Sequence, residues 1–321
     1  MMKEVVNINK GFFMKKVCVF PGQGSQSIGM GKDLYDTFSV AKDVFNEVDD
    51  ALNFKLSDVI FNGTPEELTA TENAQPALLA MSMAVWAVLQ SEAGLNISDF
   101  EYAAGHSLGE YGALCATGAL PLELAAQLLR KRGQAMARAA QAEKGLMAAI
   151  IGMDKKAVED LTTQTGCFVA NDNSIGQIVI SGPVQAIENA CIKAKEMGAK
   201  RALPLNVAGA FHSPLMQSAA DEMKVILAET PFKEPIIPVI SNVLALPVTD
   251  TKQIKELLYR QITGQVRWTE SIQWLKAQGI EAVVEIGAGK VLTGLVKRIE
   301  PDMLTFNVND VASIEEFKKT L

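Results

Sequence analysis

A serine with glycines on both sides is the first residue whose spacing suits chemistry. Residues 105–109 read GHSLG and match the pattern G-x-S-x-G. A nucleophilic serine on a tight turn between a strand and a helix needs small residues two positions away on each side. The pattern alone is weak, since roughly one chain of this length in ten contains it by chance. Here a β-rich run precedes it and a helical run follows, which predicts that Ser107 is a nucleophile.

A serine hydroxyl needs a base to attack at neutral pH. The chain has two histidines, His106 and His212. In a strand-to-helix elbow the side chain of His106 would point away from its neighbour, so His212 is the predicted base. A third group usually orients such a histidine. No carboxylate stands out for this role, because the nearest acid after His212 is Asp221, within a predicted helix, and a backbone carbonyl could serve instead.

Acyl transfer also requires two N–H donors for the oxyanion of the tetrahedral intermediate. The residue after the nucleophile, Leu108, supplies one of them. The other normally comes from a loop after a nearby strand, and the glycine-rich loop at residues 21–26 (PGQGSQ) offers Gln23. This loop matches neither of the common glycine-rich nucleotide-binding patterns, so nucleotide binding is poorly supported.

One arginine in a predicted helix differs from its neighbours. Arg132 stands beside Gly133, whereas Arg130 and Arg138 have no adjacent glycine. A glycine lets another segment approach the helix backbone. We therefore predict that Arg132 is buried, where its planar fork would suit a carboxylate.

Alternating strands and helices must position these residues. Outside the middle of the chain, the pattern predicts strands at 16–20, 101–105 and 281–286, and helices at 75–89, 108–118, 122–142 and from 291. This order favours a parallel sheet covered by helices.

The middle of the chain follows a different order, βαββαβ, which is the ferredoxin-like unit. Its predicted strands and helices, in chain order, are 146–152, 154–163 (helix), 167–171, 177–182, 183–197 (helix) and 199–205. A polar turn at 172–176 joins the two central strands, and Asp154 is the predicted N-cap of the first helix. The unit interrupts the α/β pattern and is therefore an insertion.

Composition excludes several function classes. The 321 residues are 48% hydrophobic and 21% charged, typical of a soluble globular protein. A net charge of -7 does not favour nucleic-acid binding. No apolar run could span a membrane or act as a signal peptide, and the four cysteines have no metal-ligand spacing. We expect a cytoplasmic enzyme.

These segments together resemble the bacterial malonyl-CoA:acyl carrier protein transacylases and the related acyltransferase domains of polyketide and fatty-acid synthases. The likeness covers essentially residues 14–321. The matching segments are FPGQGSQ (20–26), QPALL (75–79), GHSLGEY (105–111), RGQAM (132–136), AFHSPLM (210–216) and EIGAGKVL (285–292).

The resemblance implies an α/β fold in which an α/β-hydrolase-like, parallel-sheet subdomain carries an inserted ferredoxin-like (βαββαβ) subdomain. The expected division is an N-terminal extension at 1–13, a catalytic subdomain at 14–143 and 207–321, and the insertion at 144–206. It also implies transfer of malonyl from malonyl-CoA to the phosphopantetheine thiol of acyl carrier protein in fatty-acid synthesis. We expect no metal or other cofactor, and we expect the protein to be a monomer.

The resemblance assigns a role to each candidate residue. Its catalytic pair is Ser107 and His212, and Arg132 holds the malonyl carboxylate. The backbone amides of Gln23 and Leu108 form the oxyanion hole, and the backbone carbonyl of Gln261 orients the histidine. In related synthase domains, phenylalanine before the histidine goes with malonyl rather than methylmalonyl, so Phe211 favours malonyl.

Two other functions share parts of this pattern. A serine hydrolase, such as a thioesterase or lipase, would use Ser107 and His212 but would not need Arg132. A non-catalytic module that binds carrier protein would not need an intact set of the three. Carrier proteins are acidic, so docking on this acidic chain requires a local basic patch. The candidates are Lys200, Arg201, Lys290, Lys297 and Arg298.

Overall fold

The computed structural model describes residues 14–321, and the predicted extension at 1–13 lies outside them. The strands are β1 (Lys16–Phe20), β2 (Tyr102–Gly105), β3 (Gly145–Ile151), β4 (Phe168–Ser174), β5 (Gln177–Pro183), β6 (Arg201–Pro204), β7 (Val239–Ile240), β8 (Pro247–Val248), β9 (Ala282–Ile286) and β10 (Leu304–Val308).

The helices follow the same chain order. They are α1 (Lys32–Thr37), α2 (Ser39–Leu52), α3 (Leu56–Asn62), α4 (Pro65–Thr69), α5 (Thr71–Ala93), α6 (Gly109–Ala116), α7 (Leu122–Ala142), α8 (Lys155–Thr165), α9 (Val184–Glu196), α10 (Gln217–Glu229), α11 (Thr251–Thr263), α12 (Trp268–Ala277), α13 (Val291–Ile299) and α14 (Val311–Lys318). Within the described residues, none of these helices has the length and apolar character needed to cross a membrane.

The larger sheet has the strand order β10-β9-β1-β2-β7-β8. Its pairs are parallel except at the edge, where β8 runs antiparallel to β7. Parallel strands are covered on both faces, which explains the apolar sequence of β1, KVCVF. Phe20 pairs with Gly105, so the loops after β1 and β2 leave the sheet side by side. This register brings the glycine-rich loop next to the predicted nucleophile.

The smaller sheet has the strand order β4-β5-β3-β6, with every pair antiparallel. Helices α8 and α9 pack on it around a separate apolar core that includes Ile150, Leu161 and Ile180. Asp154 caps α8 as predicted, since its carboxylate accepts the Ala157 N–H at 2.7 Å. The chain order is βαββαβ, so the predicted α/β fold with a ferredoxin-like insertion is confirmed.

The predicted turn at 172–176 is wrong for most of its length. Strand β4 continues to Ser174, and only residues 175 and 176 form the turn. Two register shifts interrupt the pairing of β4 with β5, and the Asp172 N–H donates to the Val266 carbonyl at 2.9 Å. The Asp172 carboxylate accepts from Thr269 Oγ1 at 2.7 Å. Partners from a distant segment therefore allow polar residues to stay in a buried strand.

Helix α5 is longer than the predicted 75–89 and contains Pro76. Proline has no N–H, so the Glu72 carbonyl one turn earlier loses its helical partner. The Arg130 Nη1 donates to that carbonyl at 3.1 Å. Arg130 thus has a structural contact that explains its half-buried position beside α5.

Candidate active site

Ser107 lies on a strained turn between β2 and α6, with a φ of 52°. A left-handed φ is uncommon for a residue other than glycine and requires support from its surroundings. A Cβ on Gly105 would stand 1.9 Å from the Gly109 carbonyl oxygen, and one on Gly109 would stand 2.2 Å from that of Phe20. Neither position has room for a side chain, which is the steric requirement read from the G-x-S-x-G pattern.

Asn242 holds this turn from the end of β7. Its Oδ1 accepts the Ser107 N–H at 2.7 Å, and its Nδ2 donates to the Gly105 carbonyl at 2.6 Å. The side chain is 2% exposed. Sequence reasoning missed this residue, because a single asparagine 135 positions from Ser107 carries no spacing that could indicate the contact.

His212 is the histidine that lies beside the serine. Ser107 Oγ is 2.9 Å from His212 Nε2, and His212 Nδ1 is 2.9 Å from the Gln261 backbone oxygen. A carbonyl can only accept, so Nδ1 carries the proton and Nε2 is free to accept from the serine. His106 instead places its Nε2 2.7 Å from Asn173 Oδ1, away from Ser107.

The environment keeps this imidazole neutral. Burial, and then the positive charge of Arg132, lower the pKa of His212 to about 3. Both effects disfavour the protonated form. Near neutral pH, His212 is therefore in the state in which it can accept a proton.

Arg132 is buried, at 1% exposure, and faces the same point. Its Nη2 donates to Ser107 Oγ at 3.3 Å and to Gln261 Oε1 at 3.0 Å, and its Nη1 donates to Gln75 Oε1 at 2.7 Å. Its buried Nε has no partner within the described residues. A Cβ on Gly133 would lie 2.6 Å from the Glu72 Cα, so the start of α5 approaches α7 at the glycine, as predicted.

Gln75 and the Gln261 side chain were not predicted as contacts of the arginine. A glutamine directly before the mostly apolar stretch 76–89 of α5 is the one pattern that could have indicated the first. For Gln261, the sequence analysis predicted a role for the backbone carbonyl only.

The loop that holds Gln23 packs against the elbow. A Cβ on Gly22 would stand 2.6 Å from the His106 carbonyl oxygen, so the two loops are in close contact. Within residues 14–321, the backbone N–H groups of Gln23 and Leu108 make no hydrogen bond. Two free donors beside a nucleophile can bind an oxyanion.

A cleft of about 350 Å³ opens onto Ser107 and His212 between the two sheets. Its apolar lining comes from the smaller sheet, from α7 and from the segment after β6, and comprises Met136, Met147, Val179, Leu205, Val207 and Phe211. Asn171 and Asn173 of β4 add amide groups to the wall. This mixture suits an extended ligand with amide groups and an acyl end.

Comparison with known proteins agrees with this geometry. A model of the acyl transferase domain matches residues 17–313. The malonyl CoA-acyl carrier protein transacylase of Bacillus subtilis strain 168 is 49% identical over 314 residues, which cover 96% of this chain and 98% of that protein.

Two solved structures are similar over almost their whole length. The acyl-carrier-protein-S-malonyltransferase from Bartonella henselae has a TM-score of 0.92 and 50% identity, covering 95% of this chain and 98% of that one. A malonyl-transacylase in complex with a type II PKS acyl-carrier protein has a TM-score of 0.92 and 40% identity, covering 96% and 100%.

Proposed function

The chain belongs to the acyl transferase domain family, and we propose that it moves malonyl from malonyl-CoA to the phosphopantetheine thiol of acyl carrier protein, supplying fatty-acid synthesis. The observation that carries this proposal is the buried guanidinium of Arg132, 3.3 Å from the hydroxyl of Ser107. No carboxylate lies within salt-bridge distance of it in the described residues. An acyl group with its own carboxylate supplies the missing partner.

The first half-reaction loads the enzyme. Ser107 Oγ attacks the thioester carbon while His212 Nε2 takes the hydroxyl proton. The oxyanion that forms is held by the amides of Leu108 and Gln23. The C–S bond then breaks, the CoA thiolate takes the proton from the imidazolium, and a malonyl ester remains on Ser107.

The second half-reaction reverses these steps with a new thiol. The phosphopantetheine thiol of the carrier protein gives its proton to His212 and attacks the ester carbon. The C–O bond breaks, and Ser107 Oγ recovers the proton from His212. Both halves use side chains and backbone amides of this chain. We place the reaction in the cytoplasm, a reducing compartment that is compatible with four unpaired cysteines.

Intact mass spectrometry after mixing with malonyl-CoA or acetyl-CoA tests this function. Wild-type protein should gain a malonyl adduct, and Ser107→Ala should gain none. Arg132→Ala should load malonyl about 10- to 150-fold more slowly, which corresponds to the free energy of one charge-assisted hydrogen bond. The rate of acetyl loading should change far less. Arg138→Ala is the matched control, since this exposed arginine of the same helix pairs with Glu222.

Two results would contradict the proposal. Wild-type malonyl-over-acetyl selectivity in Arg132→Ala would remove the basis for choosing malonyl. A malonyl adduct that disappears as fast in water as with holo carrier protein would indicate a hydrolase.

A further inference from the structure

The reaction described above gives no role to a buried carboxyl group beside the active site. Glu110 lies in the first turn of α6 and is 2% exposed. Its Oε2 accepts the Asn242 backbone N–H at 3.0 Å and the Gln261 Nε2 at 2.8 Å. An acidic residue in the first turn of a helix usually lies at the surface, where its negative charge stabilises the helix by interacting with the helix dipole. Burial against an amide of the active site points to a different purpose.

The Gln261 side chain links this carboxyl group to the arginine. Its Nε2 faces Glu110 and also donates to the Ser107 carbonyl at 3.1 Å, while its Oε1 accepts from Arg132 at 3.0 Å. An amide has one donating end and one accepting end, and a guanidinium only donates. If the amide turned over, donors would face donors at Arg132. Acceptors on the Glu110 side therefore keep the amide oxygen on the arginine.

The arginine is held by neutral groups alone. Its two amide contacts are Gln75 Oε1 and Gln261 Oε1, and Glu110 lies one residue further out without forming a salt bridge to it within the described chain. A carboxylate in direct contact would compete with the carboxylate of the acyl group. The relay through an amide orients the guanidinium and leaves its charge available.

On the basis of the proposed function, we propose that Glu110 is a positioning residue for malonyl recognition, which orients Arg132 by holding the Gln261 amide. The Glu110 Oε2 holds the amide by accepting a hydrogen bond from Gln261 Nε2. Burial raises the pKa of Glu110 to about 7, so part of the population is protonated near neutrality. A neutral carboxyl group still accepts through Oε2, which is why geometry rather than charge is the property to test.

Two conservative variants separate geometry from charge. Glu110→Gln keeps the length and an accepting oxygen but removes the charge. Glu110→Asp keeps the charge but withdraws the oxygen by one methylene. We expect Glu110→Gln to retain the malonyl/acetyl loading ratio within about twofold. Glu110→Asp should lower that ratio about tenfold, through a higher KM for malonyl-CoA. A tenfold change is within the range of interaction energies measured between residues of one hydrogen-bond network.

A double variant checks that the effect passes through the arginine. In an Arg132→Ala background, Glu110→Asp should not change the malonyl/acetyl ratio further. Thermal melting of each variant shows whether it folds, so that loading is compared only among folded proteins.

Several outcomes would overturn the role of Glu110. Parallel loss of malonyl and acetyl loading in both variants would mean a purely structural role. Loss of the ratio in Glu110→Gln but not in Glu110→Asp would mean that charge decides. An additive effect in the Arg132→Ala background would exclude the relay. Wild-type protein that forms no malonyl adduct would overturn this proposal and the proposed function together, whereas the other outcomes leave the function standing.

Discussion

His212 is a base whose strength depends on one neighbouring charge. After burial, the guanidinium of Arg132 is the largest cause of its lowered pKa. The orienting group is a neutral carbonyl of Gln261, which fixes the ring without placing a negative charge beside it. The base is therefore weak in the free enzyme. A carboxylate bound to Arg132 would offset that positive charge and make the imidazole a better proton acceptor.

The pH dependence of loading tests this coupling. With acetyl-CoA as donor, wild-type kcat/KM should stay level from pH 8 to about 5, because the pKa of His212 is about 3. Arg132→Ala removes a positive charge, which stabilises the imidazolium and raises that pKa. The acid side of its profile should therefore move to higher pH, with Arg138→Ala unchanged. Identical profiles for wild type and Arg132→Ala would show that the guanidinium does not act on the base.

At the scale of elements, the elbow depends on contact between backbones. The turn between β2 and α6 is stable because two glycines let α6 start directly against β1, and because Asn242 holds both sides of the serine. The strain at Ser107 is thus supported by groups at or just beyond the ends of three strands of the larger sheet, β1, β2 and β7.

Replacement of one elbow glycine tests this packing. Gly105→Ala should lower the free energy of unfolding by more than about 1 kcal/mol and reduce loading of Ser107, because the new Cβ would collide with the backbone of α6. Gly294 in α13 is the control, since a Cβ there meets nothing within 4 Å. Gly294→Ala should be neutral or stabilise by about 0.5–1 kcal/mol. Chemical denaturation measures both, and equal effects would argue against a steric role for Gly105.

In the whole molecule, the cleft lies where the insertion packs on the larger unit, and Met147, Ala149, Ala170 and Val179 of the smaller sheet belong to the main apolar core. Lys155 of α8 lies 3.2 Å from Asp172 of β4 and 2.7 Å from Glu270 of α12, which joins the insertion to the larger unit. The walls of the cleft therefore depend on this contact as well as on each sheet.

Carrier protein must reach this cleft from outside. The five predicted docking residues are exposed, and none forms an ion pair with another described residue. Lys290 is the best placed, because the adjacent Gly289 would set a Cβ 3.5 Å from the Ser25 carbonyl, in the loop that holds Gln23.

Charge reversal at this position tests docking. Lys290→Glu should raise the KM for carrier protein severalfold more than that for malonyl-CoA, and added salt should reduce the difference. Lys233→Glu is the control. The Lys233 N–H donates to the Ala119 carbonyl, which lies just after the C-terminal end of α6. Ser107 lies at the opposite, N-terminal end of that helix. Equal changes in both KM values would indicate a solvated charge without a docking role.

Residue types and spacing along the chain were enough to predict those features of this protein that depend on local pattern. The elbow glycines and the order βαββαβ follow from local spacing and regular periodicity, and the small neighbour Gly133 was enough to predict that Arg132 is buried. A count of two histidines was enough to single out His212. The boundaries at 143/144 and 206/207, and the role of each site residue in catalysis, stay predictions.

The pairing of the polar groups of the site could be found only from the folded chain. Glu110 contacts Asn242, which is 132 residues away in the sequence, and the Gln261 side chain, which is 151 residues away. Asn242 and Gln261 are 19 residues apart. Single amides and acids of this kind carry no periodicity. The polar segment 172–174 looked like a turn for the same reason: its partners, Val266 and Thr269, become neighbours only when the two units pack. Hydrogen bonding of buried polar groups is a property of the folded surroundings, and local sequence does not encode it.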